Sequence, residues 1–322
     1  MKRLASAIIA CTLLLTLCAS CESRRNDHAR DGRLRVVTTL YPLYDFARNI
    51  GGDKVDVFLI LPPGMESHSF EPKPDDIIRI NRADVFIYTN RFMEPWAADI
   101  IAGLDTRKTL VVDSSRGTRL LKAGRSDEKV EEGRRHGDDA GHHHSEGMDP
   151  HLWLDFDNAK IMVDNIAAGL ADRDPMHRAF YAANAAAYKG KLTDLDERYR
   201  KGLADCDKRI FLHGGHFAFG YLANRYGLRY ESAYAITADA EPSPAKLAGL
   251  IRRIRANGLK YIYTEELVEP RVAESIARET GAKILKLHGA HNIGRDELAS
   301  GVTFLSLMER NLENLRLGLQ CR

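Results

Sequence analysis

Residues 174–203 read DPMHRAFYAANAAAYKGKLTDLDERYRKGL. Asp174 offers an N-cap, and Pro175 suits the first helical position, where its missing N–H has no intrahelical partner to lose. No further proline follows before Leu203. Phe180, Asn184, Tyr188, Leu192, Leu195, Tyr199 and Leu203 recur at three- and four-residue steps, which puts a largely apolar stripe on one helical face. At 1.5 Å per residue the spacing predicts a helix roughly 40 Å long. An element of that length can run the height of two lobes, and it is a stiffer connector than the loop hinges of proteins that close widely on a ligand.

On both sides of this helix, short β-rich runs alternate with helical patterns. Before it, runs at 34–40, 55–60, 85–89 and 109–113 read as strands, with helices near 42–50, 75–82 and 94–102. After it come runs at 209–212, 228–233, 260–264 and 283–287, with Ser243-Pro244 opening one helix and Gly227, Gly258 and Gly281 closing others. Such alternation is the pattern of βαβ units. The expected fold is α/β: two Rossmann-like lobes, each with a mostly parallel four-stranded sheet, joined by one long rigid helix. The boundaries expected are an export signal over 1–20, a tether over 21–33, an N-terminal lobe over 34–157, linker helices over 158–205 and a C-terminal lobe over 206–322.

The chain's 322 residues agree with a prior of about two domains. Hydrophobic residues at 44% and charged residues at 29% exclude a disordered or polytopic membrane chain. A formal charge of only +2 gives no electrostatic footprint for nucleic acid.

Met1-Lys2-Arg3 followed by the apolar run to Leu17 has the order of an export signal. Ala19-Ser20-Cys21 resembles a bacterial lipobox, with Cys18 where a Leu is usual, so Cys21 is the expected lipid anchor and plain cleavage the alternative. Either way the mature chain leaves the cytoplasm, to the periplasm or the outer face of the membrane. Cys206 and Cys321 then remain, either bridged in an oxidising compartment or as two separate thiols. From 122 to 149 the chain is nearly all Gly, Asp, Glu, Arg and His, including His136 and His142-His143-His144. Too polar to order itself, this loop is expected to capture metal weakly.

In open α/β sheets ligands bind beyond the carboxyl ends of the strands. His68 follows the second strand, His151 the His-rich loop, His216 the first strand of the second lobe, and His288 ends the last strand. A lone histidine is more often structural, but four facing one cleft point to a metal. A nitrogen-rich site suits Zn2+ better than Mn2+ or other oxygen-preferring ions.

The motifs Leu61-Pro62-Pro63-Gly64-Met65-Glu66-Ser67-His68, Met93-Glu94-Pro95-Trp96, Asp149-Pro150-His151-Leu152-Trp153, His216-Phe217-Ala218-Phe219-Gly220-Tyr221 and Glu241-Pro242-Ser243-Pro244 resemble those of the metal-binding solute-binding proteins of zinc/manganese ABC importers. The acidic His-rich loop is similar to that of the zinc-handling branch. The resemblance covers the whole mature chain. It implies a monomeric receptor that hands its metal to a membrane permease and its ATPase, with His68, His151 and His216 as ligands. At the fourth position many relatives have an Asp, and here stands His288, followed by Gly289-Ala290-His291. His288 is the expected fourth ligand, with His291 or water as alternatives. His213 reads as structural, Glu94 and Trp96 as supports of the site, and Glu265 or Glu266 as an acceptor for a ligand imidazole.

Two other readings stand beside this one. A zinc hydrolase would also use three His and a water, but the chain has no His-Glu-x-x-His, Gly-x-Ser-x-Gly or P-loop pattern. A metal-dependent surface adhesin could share the fold.

Overall fold

Runs rich in Val, Ile, Phe and Tyr become short parallel strands, the inner ones largely buried between the helices that βαβ connections supply. The computed structural model describes residues 32–122, 147–236, 241–266 and 270–322. The expected export signal, Cys21, most of the tether and nearly all of the His-rich loop lie outside the described residues. Beyond the first two described residues, Leu34–Arg322 form one compact unit.

The N-terminal half runs β1 (Leu34–Thr38), α1 (Tyr41–Gly51), β2 (Val55–Leu59), α2 (Pro74–Arg82), β3 (Val85–Tyr88), α3 (Ala97–Gly103) and β4 (Leu110–Asp113). Its sheet has the order β2-β1-β3-β4, all parallel, with Val36 opposite both Val57 and Val85. Then come α4 (Phe156–Arg173) and α5 (Arg178–Gly202). The C-terminal half continues with β5 (Ile210–His213), α6 (Gly220–Arg225), β6 (Arg229–Ser232), α7 (Pro244–Asn257), β7 (Tyr261–Thr264), α8 (Arg271–Thr280), β8 (Lys283–Lys286), α9 (Arg295–Ala299) and α10 (Phe304–Gly318). Its sheet, β6-β5-β7-β8, repeats the first order and is also parallel. Ser243 Oγ accepts from Lys246 N at the start of α7, and Gly258 (φ 56°) ends that helix in the left-handed region that favours glycine.

The long helix starts later than its sequence suggests. Pro175–His177 form a 3₁₀ turn before α5, and Asp174 caps no backbone N–H. Its carboxylate instead accepts from His177 Nδ1 (2.6 Å) and Tyr181 Oη (2.7 Å). The 25 residues of α5 span about 38 Å. Tyr188, Leu192, Leu195 and Tyr199 are buried as the stripe predicts, while Phe180 and Asn184 lie at its edge and Tyr181 and Ala185 enter the core.

One apolar core runs from β1 and α1 through α4 and α5 to α10, and a smaller one lies beneath α7 and α8 around Leu212, Leu250, Ile254 and Ile262. Arg225 fastens the linker to the C-terminal half: its guanidinium donates to Asp155 (2.8 Å), Asp157 (2.9 Å) and Asp196 (2.6 and 2.7 Å). Burial works against a charged Asp196, yet Arg225 and Tyr226 hold it down at about 2. Cys206 and Cys321 are joined as a disulfide, which settles the choice left open by their spacing and ties the chain's end to the approach of β5. Among the described residues no helix is long and apolar enough to cross a membrane.

Candidate metal centre

Beyond the carboxyl ends of the strands, four imidazoles from both halves converge. His68 sits in the loop after β2, held by Glu66, whose carboxylate accepts from His68 N (3.0 Å) and Ser69 N (2.8 Å). Phe70 of the same loop packs on Trp96 with ring centroids 6.0 Å apart. His151 precedes the 3₁₀ turn Leu152–Leu154 and is fully buried. His216 follows β5, and His291 follows β8. The rings of His68, His151 and His216 have centroids 5.1–5.2 Å apart, and His291 lies 5.2 Å from His216, 6.1 Å from His151 and 6.2 Å from His68.

The nitrogens are spaced as ligands. Nε2 of His151 lies 3.2 Å from Nε2 of both His68 and His216. Around a tetrahedral Zn2+ with bonds of 2.0–2.1 Å, adjacent donors stand about 3.3–3.4 Å apart. Two of these rings are oriented by carboxylates behind them. Asp149 Oδ1 accepts from His151 Nδ1 (2.8 Å) and from His151 N (3.0 Å). Glu265 pairs with His216 Nδ1 and accepts from His216 N (3.0 Å). With Nδ1–H committed backwards, each ring can present a lone pair at Nε2, the arrangement that metal sites use to fix ligand tautomer and direction. The residues therefore fit a zinc ion.

Close backbone approach allows this geometry. A Cβ on Gly215 would stand 2.1 Å from Glu265 Oε1, and one on Gly289 would stand 2.6 Å from His291 Nδ1. Glycine is what lets both turns pass these side chains.

The tendency to carry charge differs among His151, His216 and His291. Burial, with the neighbouring histidines adding to it, holds His151 well below the ordinary imidazole range, and His291 likewise. Burial also opposes a charge on His216, but Glu265 overcomes it and raises His216. Glu265 is itself held at about 2, chiefly by His216 acting against burial. Burial pushes Asp149 up to about 7. Burial thus favours the neutral form of His151 and His291, while Glu265 favours the charged form of His216.

The structure brings His68, His151 and His216 together, and of the two candidates after β8 it brings up His291. His288 is buried but faces elsewhere. Its backbone is held on both sides by Asn311 of α10 (2.7 and 2.8 Å), and its ring lies against Glu266 (3.2 Å) and Glu297 (3.5 Å). The sequence expectation treats the strand end as the delivery point. The chain instead turns at Ala290, whose φ of 60° is left-handed, and the turn carries the next histidine inward.

His213 ends β5, fully buried against Phe219. Its Nδ1 accepts from Gly215 N (3.2 Å), and burial lowers it to about 4. Glu94 lies buried at the ends of β1 and β3, accepting from Thr39 Oγ1, Thr89 N and Asn90 N, and burial raises it to about 7. Asp149 is the partner that sequence reading missed. Its signal was local, a carboxylate two residues before a candidate ligand. At the base of the His-rich segment, Lys122 pairs antiparallel with Met148, and Asp149 N donates to Leu121 O (2.8 Å), which pins the two ends of that segment beside His151.

Comparison with known proteins agrees with this chemistry. A family described as zinc-uptake complex component A, periplasmic, matches residues 36–318. The high-affinity zinc uptake system protein ZnuA of Bacillus subtilis (strain 168) is 36% identical over 309 residues, 96% of this chain and 95% of that protein. The zinc-binding protein AdcA of Streptococcus pyogenes serotype M1 is 37% identical over 294 residues, 89% of this chain but 56% of AdcA, so the chain spans just over half of that relative's length. The crystal structure of the Zn(II)-bound ZnuA-like domain of Streptococcus pneumoniae AdcA matches with a TM-score of 0.74 and 32% identity, over 89% of this chain and 99% of that one.

Proposed function

The chain belongs to the zinc-uptake complex component A family, and on that premise we propose that it is the high-affinity zinc receptor of an ABC-type importer. It captures Zn2+ between its two halves and delivers it to a membrane permease driven by an ATPase. The observation that carries this reading is that His151 Nε2 lies 3.2 Å from Nε2 of both His68 and His216, with His151 and His216 each backed by a carboxylate. Zinc is here the cargo, and the protein contributes a dry, nitrogen-lined cage with no chemistry on a substrate.

His68, His151 and His216 are the proposed ligands, with His291 as the fourth. The observation favouring His291 over His288 is that its ring faces the other three, while that of His288 faces Glu266 and Glu297. Nitrogen donors throughout select zinc over manganese. The receptor works as a monomer outside the cytoplasm, tethered through a lipid on Cys21, and the His-rich segment adds weak metal capture.

Titration of the metal-free protein with Zn2+ by calorimetry tests the ligand set. One tight equivalent is expected per chain, lost in His151→Ala and weakened far more in His291→Ala than in His288→Ala. A larger loss in His288→Ala would overturn the assignment of the fourth ligand, and no tight equivalent in the unaltered protein would overturn the function.

A further inference from the structure

The loop after β8 does more than supply an imidazole. Across residues 288–293 it is hydrogen-bonded to three separate pieces of the N-terminal half. Trp153, two residues beyond His151, donates its indole N–H to Gly289 O (2.8 Å). Tyr41 N, at the first residue of α1, donates to His291 O (3.3 Å). Gly64 N donates to Ile293 O (2.9 Å). Asn292 makes the most specific contact: its buried amide donates to both Pro62 O (2.9 Å) and Met65 O (2.6 Å), while its own Oδ1 accepts from Ile293 N (2.8 Å).

Pro62–Met65 is the turn that leads into His68, three residues further on. Asn292 immediately follows His291. One side chain therefore joins the loop carrying a ligand from one half to the loop carrying a ligand from the other. The contact takes two N–H donors aimed at two carbonyls, and because the Asn292 amide itself is buried, leaving its donors unmade is costly.

We propose that Asn292 is a positioning residue that latches the His68 loop to the His291 loop, so that zinc leaves only when this amide releases Pro62 and Met65. Asn292 does not touch the metal. It keeps His68 and His291 in register and thereby sets how long the ion is held. The inference rests on reading the centre as a zinc site.

The test is zinc release into excess chelator, followed by stopped flow, for the unaltered chain and for Asn292→Ala and Asn292→Asp. Asn165→Ala serves as control, because Asn165 also donates its amide to two loop carbonyls, Ser114 O and Arg116 O, away from the centre. Asn292→Ala should release zinc about tenfold faster, the effect of losing two neutral hydrogen bonds offset in part by rehydration. Asn292→Asp should be faster still, because a carboxylate then faces two carbonyls. The control should stay within about twofold of the unaltered rate. A merely structural role would lower the melting temperature or the fraction able to bind, and leave the release rate of the bound fraction unchanged; that result would overturn the proposal.

Should the Asn292 variants fail to fold, exchange of the Gly64 amide in the unaltered protein decides the matter. Protection should rise on adding one equivalent of Zn2+, and equal protection with and without zinc would end the proposal. An unaltered chain that takes up no zinc would instead end the reading on which it rests.

Discussion

The two halves share one strand order, yet the two imidazoles backed by carboxylates, His151 and His216, sit in opposite electrostatic settings. In the N-terminal half His151 is backed by Asp149 two residues away, and burial dominates: the carboxyl rises to about 7 and the imidazole falls well below its usual range. In the C-terminal half His216 is backed by Glu265, 49 residues away, and attraction dominates: the carboxyl is held at about 2 and the imidazole is raised. The same pairing of histidine and carboxylate favours the neutral ligand at His151 and makes His216 take up a proton more readily. Wherever His216 is protonated, zinc must displace that proton before it can use the Nε2 lone pair.

The contrast breaks first at Glu265. Glu265→Gln should weaken zinc binding by about a hundredfold and Asp149→Asn by about tenfold, the two ends of the range seen when a carboxylate behind a ligand is removed. Equal losses, read by competition with a chelating dye, would erase the distinction between the two sides.

Acid should act next, and in a fixed direction. A ligand with a raised pKa is protonated over a wider range, so protons compete with zinc already above pH 6.5 and more strongly below it. Between pH 7.5 and pH 5 affinity should fall by about thirtyfold or more, since each unit below a ligand's pKa costs up to tenfold. In Glu265→Gln the fall should begin at lower pH, because the attraction that raises His216 is gone. Calorimetry at the two pH values checks both statements.

Much of this was legible in the sequence, for reasons that differ from part to part. Most of the eight strands were readable because they are short β-branched or aromatic runs bounded by glycine, proline or a helix, while β6 (RYES) and β8 (KILK) were placed mainly by their spacing between helices. The stripe from Tyr188 to Tyr199 was readable because one helical face must be apolar to join two halves. His68, His151 and His216 stood out by their places after strands or a polar loop. That the ring of His291, not His288, turns toward the other three imidazoles was not readable, because it goes with one residue, Ala290, adopting a left-handed conformation that glycine would have announced and alanine does not. Glu265 could be suspected only from its place at the end of β7, since nothing in a linear chain pairs it with His216.

The smallest effect on the site should come from the staple that only the C-terminal half carries. Replacing Cys206 and Cys321 by Ser should lower stability by about 2–4 kcal/mol, measured by denaturant unfolding of the metal-free protein. Zinc affinity should change by less than about twofold, because the bridge ties α10's end to the approach of β5, away from the imidazoles. A matched loss of affinity would mean that the two halves are not independently held.

Zinc K-edge X-ray absorption of the protein loaded with one equivalent of Zn2+ reads the central claim directly. The account predicts four nitrogen or oxygen donors at about 2.0–2.1 Å, with the outer-shell scattering of at least three imidazoles. A shell of six oxygens, a sulfur donor, or the scattering of only one imidazole would contradict it.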